Sequence, residues 1–232
     1  MAIFHDKEFG DITVTRASRM RSVRIHVDTS GKLSIKAPLM TPLVYLRGVV
    51  ASSRGDLREL LAKQPKKITY QDGTIIGKTH TIAVIKTGMV DHPKVKIERK
   101  KLLVYLPPGH TLESRAVQQL IRDSVIIVLR KEAKSYLNNR LSTLGEQLGL
   151  SYERIRFSHA GTRWGSCSST GTISLNIGLM KLKDELIDYV IIHELCHTRH
   201  MNHSKAFWQL VGQYDPHYKL HRRQIARETP SV

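Results

Sequence analysis

The chain has 232 residues, of which 41% are hydrophobic, and a formal net charge of +17. That size suits one or two domains with a real core. Its two cysteines, Cys167 and Cys196, exclude a disulfide framework and point to a reduced, cytoplasmic setting. The opening MAIFHDKEFGD lacks the apolar core of a signal peptide, and the longest apolar runs, VIIVL and YVII, are too short to span a bilayer. A soluble protein with no membrane partner is expected.

In chain order, SVRIHVD alternates Val23, Ile25 and Val27 with polar residues, the period of a half-buried strand. A turn at Thr29-Ser30-Gly31 leads into KLSIKAP, so a hairpin is predicted. Thr41-Pro42 starts a helix with Pro at its first position, and one or two helices run to about Gln64. ITYQDGTII, HTIAVIK, KVKIE and LLVYLPP then read as short strands. Pro107-Pro108-Gly109 punctuates the chain and sets a boundary near residue 110.

A long helical pattern runs from Thr111 to about Leu148, with a break expected near Leu141. Next come a strand (ERIRFSHA), a loop (GTRWGSCSSTG) and a strand (TISLNI). A helix follows from about Asp184 to Arg199, then a final helix around His203–Tyr214 and a basic tail after Tyr218. No internal repeat is visible. The expected fold is α+β: a small β-rich N-terminal domain over 1–110, then a helical and β domain over 111–232.

Charge is uneven across that boundary. Residues 1–110 hold 20 Lys+Arg against 9 Asp+Glu, and residues 111–232 hold 17 against 11, so +11 of the +17 lies in the first part. This excess serves solubility, or docks an acidic partner such as nucleic acid.

Residues 193–203 read HELCHTRHMNH. On a helix His193 and His197 share one face about one turn apart, and two imidazoles there can meet one zinc at about 2.0–2.1 Å. Glu194 beside them can reach a water on the metal as general base, the H-E-x-x-H arrangement of zinc peptidases. A catalytic zinc wants a third protein ligand. His200 lies about 10.5 Å along the helix from His193, too far for a shared metal. His203 can return after a turn at Met201-Asn202, where Asn tolerates the left-handed conformation. The three histidines and Glu194 are therefore the candidate site, with Zn2+ as cofactor.

Around it, Arg163 could hold a carboxylate of a substrate, and Asn176 could orient a peptide. Trp164, Phe207, Trp208 and Cys196 read as packing residues. Asp188 and Asp215 are candidates to receive the second nitrogen of a ligand histidine. Tyr214, His217, Tyr218 and His221 are candidates to stabilise an oxyanion. ISLN could line the cleft and offer its edge to an extended peptide.

RWGSCSS (163–169), ISLN (173–176), IDYVIIHELCH (187–197) and NHSKAFW (202–208) resemble the YgjP-like metallopeptidases, relatives of the SprT-like and WLM zinc peptidases. The likeness is strong over about 150–225 and fainter in the N-terminal half, at RSVRIHVDTSGKLSIKAP. It implies a zincin-like catalytic domain over 111–232 behind the small β-rich domain, with His193, His197 and His203 as zinc ligands, Glu194 as base and a peptide or protein substrate. The spacing also fits metzincins, but His200 stands at their Gly position and no methionine follows Met201 for a Met-turn. A gluzincin needs a downstream Glu ligand, and only Asp215 and Glu228 follow. The alternatives are a nucleic-acid-associated protein, such as a DNA- or RNA-docked protease, and a non-catalytic zinc-binding domain.

Overall fold

The computed structural model describes residues 2–18, 20–27, 32–62 and 68–232. The chain forms two compact units, Met1–Lys66 and Lys67–Val232. The boundary expected near residue 110 thus falls inside the second unit. The reason is packing: the strands of 75–106 bury their apolar face in the same core as the long helix that follows them.

In the first unit, strands β1 (Ala2–Asp6), β2 (Gly10–Ala17), β3 (Arg24–Val27) and β4 (Leu33–Pro38) form one sheet in the order β1-β2-β4-β3. The β1–β2 and β3–β4 pairs are antiparallel, and β2–β4 is parallel. The β3–β4 pair is the predicted hairpin; its turn, Thr29-Ser30-Gly31, lies outside the described residues. Helices α1 (Leu43–Ser52) and α2 (Arg54–Ala62) complete the unit, and the predicted helix end at Gln64 also lies outside them. Pro42 caps α1 rather than opening it. Ile12, Val14, Leu33, Ile35, Leu46 and Val50 form the core. Arg54 holds both Asp6 and Glu8, which ties α2 to the first strand and turn.

The second unit begins with β5 (Ile75–Ile76), β6 (His80–Lys86), β7 (Lys94–Glu98) and β8 (Lys101–Leu106), in the order β5-β6-β8-β7. The pairing is again antiparallel, parallel, antiparallel. A topological repeat therefore exists that residue identity does not show. It survives because strand pairing needs only alternating apolar positions, such as Leu33 and Ile35 in β4 and Leu102 and Val104 in β8.

Helix α3 (Arg115–Leu148) is capped by Ser114, whose hydroxyl accepts the Val117 N–H. It runs without the break expected at Leu141, because Leu137, Leu141 and Leu144 continue one buried face. That face packs first on the β5–β8 sheet and then on the elements that follow α3 in the chain.

The second unit contains a third sheet of β9 (Arg154–Ser158), β10 (Gly165–Cys167) and β11 (Thr172–Asn176), in the order β10-β11-β9. A 3-10 turn (Ile177–Lys181) joins it to α4 (Asp184–Cys196), α5 (Lys205–Tyr214) and α6 (Tyr218–Ile225). Strand β10 replaces part of the predicted loop, and α6 replaces part of the predicted polar tail. Among the described residues no helix is long and apolar enough to cross a membrane.

One turn locks this unit together. Gly77 has φ +57°, and a Cβ there would lie 2.1 Å from Glu132 Oε2. The Glu132 carboxylate on α3 accepts the Lys78 N–H (2.8 Å), the Thr79 N–H (3.2 Å) and the Thr79 hydroxyl (2.6 Å). It also faces His80 Nδ1 at 2.7 Å. Lys78 Nζ in turn donates to the Leu182 carbonyl and to Asp184 at the start of α4. Burial pushes the Glu132 carboxyl up, but the donors of Thr79, Lys78 and His80 outweigh it and hold it below the usual range.

A folded-state value below the unfolded one stabilises the fold above the unfolded pKa and loses that contribution as pH falls through the folded one. Glu132→Ala should therefore cost about 1–3 kcal/mol at neutral pH, since it removes the acceptor shared by Lys78, Thr79 and His80. The gap to wild type should narrow in acid. Urea unfolding followed by tryptophan fluorescence checks this, since Trp164 and Trp208 both lie in this unit. A gap that does not change with pH would refute the argument.

Candidate metal centre

Helix α4 is apolar around most of its circumference and is buried at Leu186, Ile187, Val190, Ile191 and Leu195. Asp184 and Glu185 sit in its first turn, where negative charge complements the helix dipole. This fixes the position of its last turn, which carries His193 and Glu194. The helix ends at Cys196, three residues before the predicted Arg199. His197 caps it, and the chain then turns through Thr198 N–H to Leu195 O (3.0 Å) and His200 N–H to Cys196 O (3.0 Å). Asn202 does not take the left-handed conformation expected of it, since Arg99 is the one non-glycine with positive φ among the described residues. Ser204 then starts α5 by accepting the Phe207 N–H.

This turn brings His203 back onto His193. The Nε2 atoms of His193 and His203 are 3.1 Å apart, and those of His193 and His197 are 3.3 Å apart. Three nitrogens on one metal with bonds near 2 Å are spaced about 3–4 Å apart, so the separations fit. His197 Nδ1 donates to the His200 carbonyl at 3.0 Å, which turns the Nε2 lone pair of His197 inward. His200 thus contributes its backbone and not its imidazole. Phe207 stacks on His197 with ring centroids 4.5 Å apart and fixes that ring from below.

The electrostatics favour lone pairs over protons. Burial, then His197, His203 and Arg222, hold the His193 imidazole down to about 3. Burial and His203 also lower His197, against the raising effect of the His200 carbonyl. Neutral imidazoles that converge at these distances repel one another unless a cation sits between them. Glu194 is 5% exposed, and its Oε2 is buried with no hydrogen-bond partner. Burial pushes its carboxyl up to about 8, against the pull of the Arg163 guanidinium. A converging histidine trio beside an orphaned carboxylate oxygen fits a divalent metal with a water.

The sequence profile of the YgjP-like metallopeptidase domain matches residues 21–228. The chain belongs to the YgjP-like metallopeptidase family. It is thus a metallopeptidase, with peptide or protein substrates. Two solved structures are also similar. One is the metallopeptidase zymogen abylysin of Pyrococcus abyssi, at 26% identity and a TM-score of 0.35, covering 38% of this chain and 90% of that one. The other is the zymogen jannalysin of Methanocaldococcus jannaschii, at 22% identity and a TM-score of 0.35, covering 39% and 93%. No curated protein matches the chain.

Within this YgjP-like chain the remaining expected residues divide. Asn176 is fully buried and donates to the carbonyls of Ala160 (2.6 Å) and Arg163 (2.9 Å), while its Oδ1 accepts the Gly178 N–H. It holds the loop before β10 and does not face a peptide. Arg163 is exposed, and its guanidinium acts on Glu194 through charge. Asp188 is paired with Arg140 at 2.6 and 2.7 Å, and Asp215 with His221 at 2.7 Å, so neither orients a ligand histidine. Tyr214 donates its hydroxyl to the Leu148 carbonyl, and Tyr218 stacks on Trp208.

β11 cannot offer an edge, because β9 and β10 pair on its two sides. The edges are β9 and β10, and β10, which the sequence read as loop, is the one that packs on α4. Gly165 of that strand lies directly over Glu194: a Cβ there would be 2.6 Å from Oε1. The signal that could have found it is the Gly between Trp164 and Ser166, which marks a close approach of backbone to another group.

Proposed function

We propose that this chain is a zinc-dependent peptidase in which His193, His197 and His203 hold the metal and Glu194 is the general base. The observation that carries the reading is the convergence of three Nε2 atoms beside a buried, unpartnered Glu194 oxygen. His193, His197 and His203 would hold the zinc, which would supply Lewis acidity to the scissile carbonyl and to a water. Glu194 takes the proton of the attacking water and passes it to the leaving nitrogen. Its surroundings exclude bulk water and keep its basicity high. The peptide lies along β10. Trp164 O and Ser168 N–H bond to β11, so by antiparallel alternation the main-chain groups of Gly165 and Cys167 face outward for a substrate strand.

The test is metal content and cleavage of one preparation, purified without chelator or tag, beside His203→Ala. Wild type should hold about one zinc per chain and cleave an unstructured peptide. Chelation should stop cleavage, and zinc should restore it. His203→Ala should weaken zinc binding by about 10²-fold or more. A wild type that takes up no metal when zinc is offered would refute the reading.

A further inference from the structure

We infer that the cleft between α5 and α6 is a subsite for an acidic side chain of the peptide substrate. This rests on the peptidase reading and adds the kind of substrate that the site prefers. The cleft has a volume of about 560 Å³, and Lys205, Trp208, Tyr218, Lys219 and Arg222 line it.

Its floor is continuous with the metal centre. His203 stacks on Trp208 at 5.5 Å and 23°, and Trp208 stacks on Tyr218 at 5.5 Å and 18°. Gly212 makes room for this: a Cβ there would press on the Tyr218 ring at 3.2 Å. The Arg222 guanidinium lies 4.6 Å from the Trp208 ring centroid, which holds the charge beside the stack. A side chain that enters the cleft therefore belongs to a residue near the scissile bond.

The charge there is one-sided. Lys205, Lys219 and Arg222 are exposed, and Arg223 continues the patch along α6. From residue 195 to 232 the acidic residues are Asp215 and Glu228. Asp215 is buried and bound to His221, and Glu228 lines a different cavity with Lys181. None of the four cations has a carboxylate partner among the described residues. Unpaired cations over an apolar floor attract a carboxylate more strongly than the same charges fully in water.

Single-stranded nucleic acid is the competing ligand, and the rings argue against it. Nucleobases need an open aromatic face. His203, Tyr218 and Arg222 already cover Trp208; Trp208 stacks on Tyr218, and the Lys219 ammonium lies 6.0 Å from the Tyr218 ring centroid.

The experiment compares matched peptides with Glu, Gln or Lys at each position flanking the cleavage site, using the zinc-loaded protein. Glu at one position should raise kcat/KM over Gln by about fivefold to tenfold, the effect of one or two partly exposed charge pairs. The advantage should shrink with added salt. Double charge reversal, Lys219→Glu with Arg222→Glu, should invert the preference toward Lys. Equal rates for Glu and Gln in wild type, or a Glu preference that survives reversal, would overturn the subsite.

A binding assay separates this from failure of the peptidase reading. Fluorescent Glu and Gln peptides and oligo-dT are titrated into the zinc-loaded Glu194→Gln protein. If wild type cleaves nothing, the peptidase reading fails, yet a Glu-over-Gln binding ratio that reversal inverts still supports the cleft. Oligo-dT binding that reversal abolishes, with no Glu preference, assigns the surface to nucleic acid and overturns the inference.

Discussion

Replacing Glu194 with Gln should lower peptide cleavage about a thousandfold while zinc stays bound. The substitution keeps the shape of the side chain and removes its capacity to accept a proton. General-base catalysis contributes about 10²- to 10⁴-fold in enzymes of known mechanism. The three imidazoles are untouched, and Gln keeps the volume that fits beneath the Gly165 backbone. Metal content and kcat/KM measured on the same preparation check both halves. Unchanged turnover would refute Glu194 as base. Intact zinc in a wild type that never cleaves would favour a non-catalytic zinc domain instead. Because the inactive variant does not consume its substrate, a peptide complex of it should show the main chain paired with Gly165 and Cys167. A peptide bound elsewhere would sink the β10 placement.

Gly165→Ala should cost about 10²-fold in kcat/KM, again with zinc retained. A methyl at this position meets three Glu194 atoms at 2.6, 2.8 and 2.9 Å. Relief is hard to find. Glu194 is 5% exposed on a helix buried around most of its circumference, so it cannot swing into solvent. The strand cannot rise freely either, because Trp164 O and Ser168 N–H anchor both its ends to β11. Either the carboxylate or the substrate strand moves by about 1 Å, and displacements of that size cost catalysts about two orders of magnitude. The comparison with Glu194→Gln is informative, since Ala should retain a proton acceptor in the wrong place. Full activity in Gly165→Ala would mean that the strand yields and does not position the base.

The histidine trio was legible because its spacing is local. His193, Glu194 and His197 lie within one helical turn, and His203 needs only a short return of the chain. The apolar stripe that carries them, from Leu186 to Leu195, is readable by period alone. The hairpin of residues 23–38 and the strands of 80–106 were legible for the same reason: alternation within a few residues. Strands β1 and β2 were passed over, although Ile12 and Val14 alternate, because their polar neighbours blur the pattern. Helix α6 was hidden by its composition. YKLHRRQI exposes five of eight residues and anchors itself through Ile225.

What the sequence alone determined, then, is the histidine cluster with Glu194 in its last helical turn, and the secondary structure with strong period. Those depend on contacts between residues close in the chain. The tertiary structure decided everything that depends on distant partners. Asn176 looks like a ligand-facing amide in sequence but is consumed by two carbonyls 13 and 16 residues before it. Asp188 and Asp215 look like supports for the clustered histidines but are claimed by Arg140 and His221. The three-residue strand β10 has no pattern of its own and exists because β11 pairs with it. The division at 66/67 was set by which core each sheet joins, since an apolar strand face reads the same whichever core receives it.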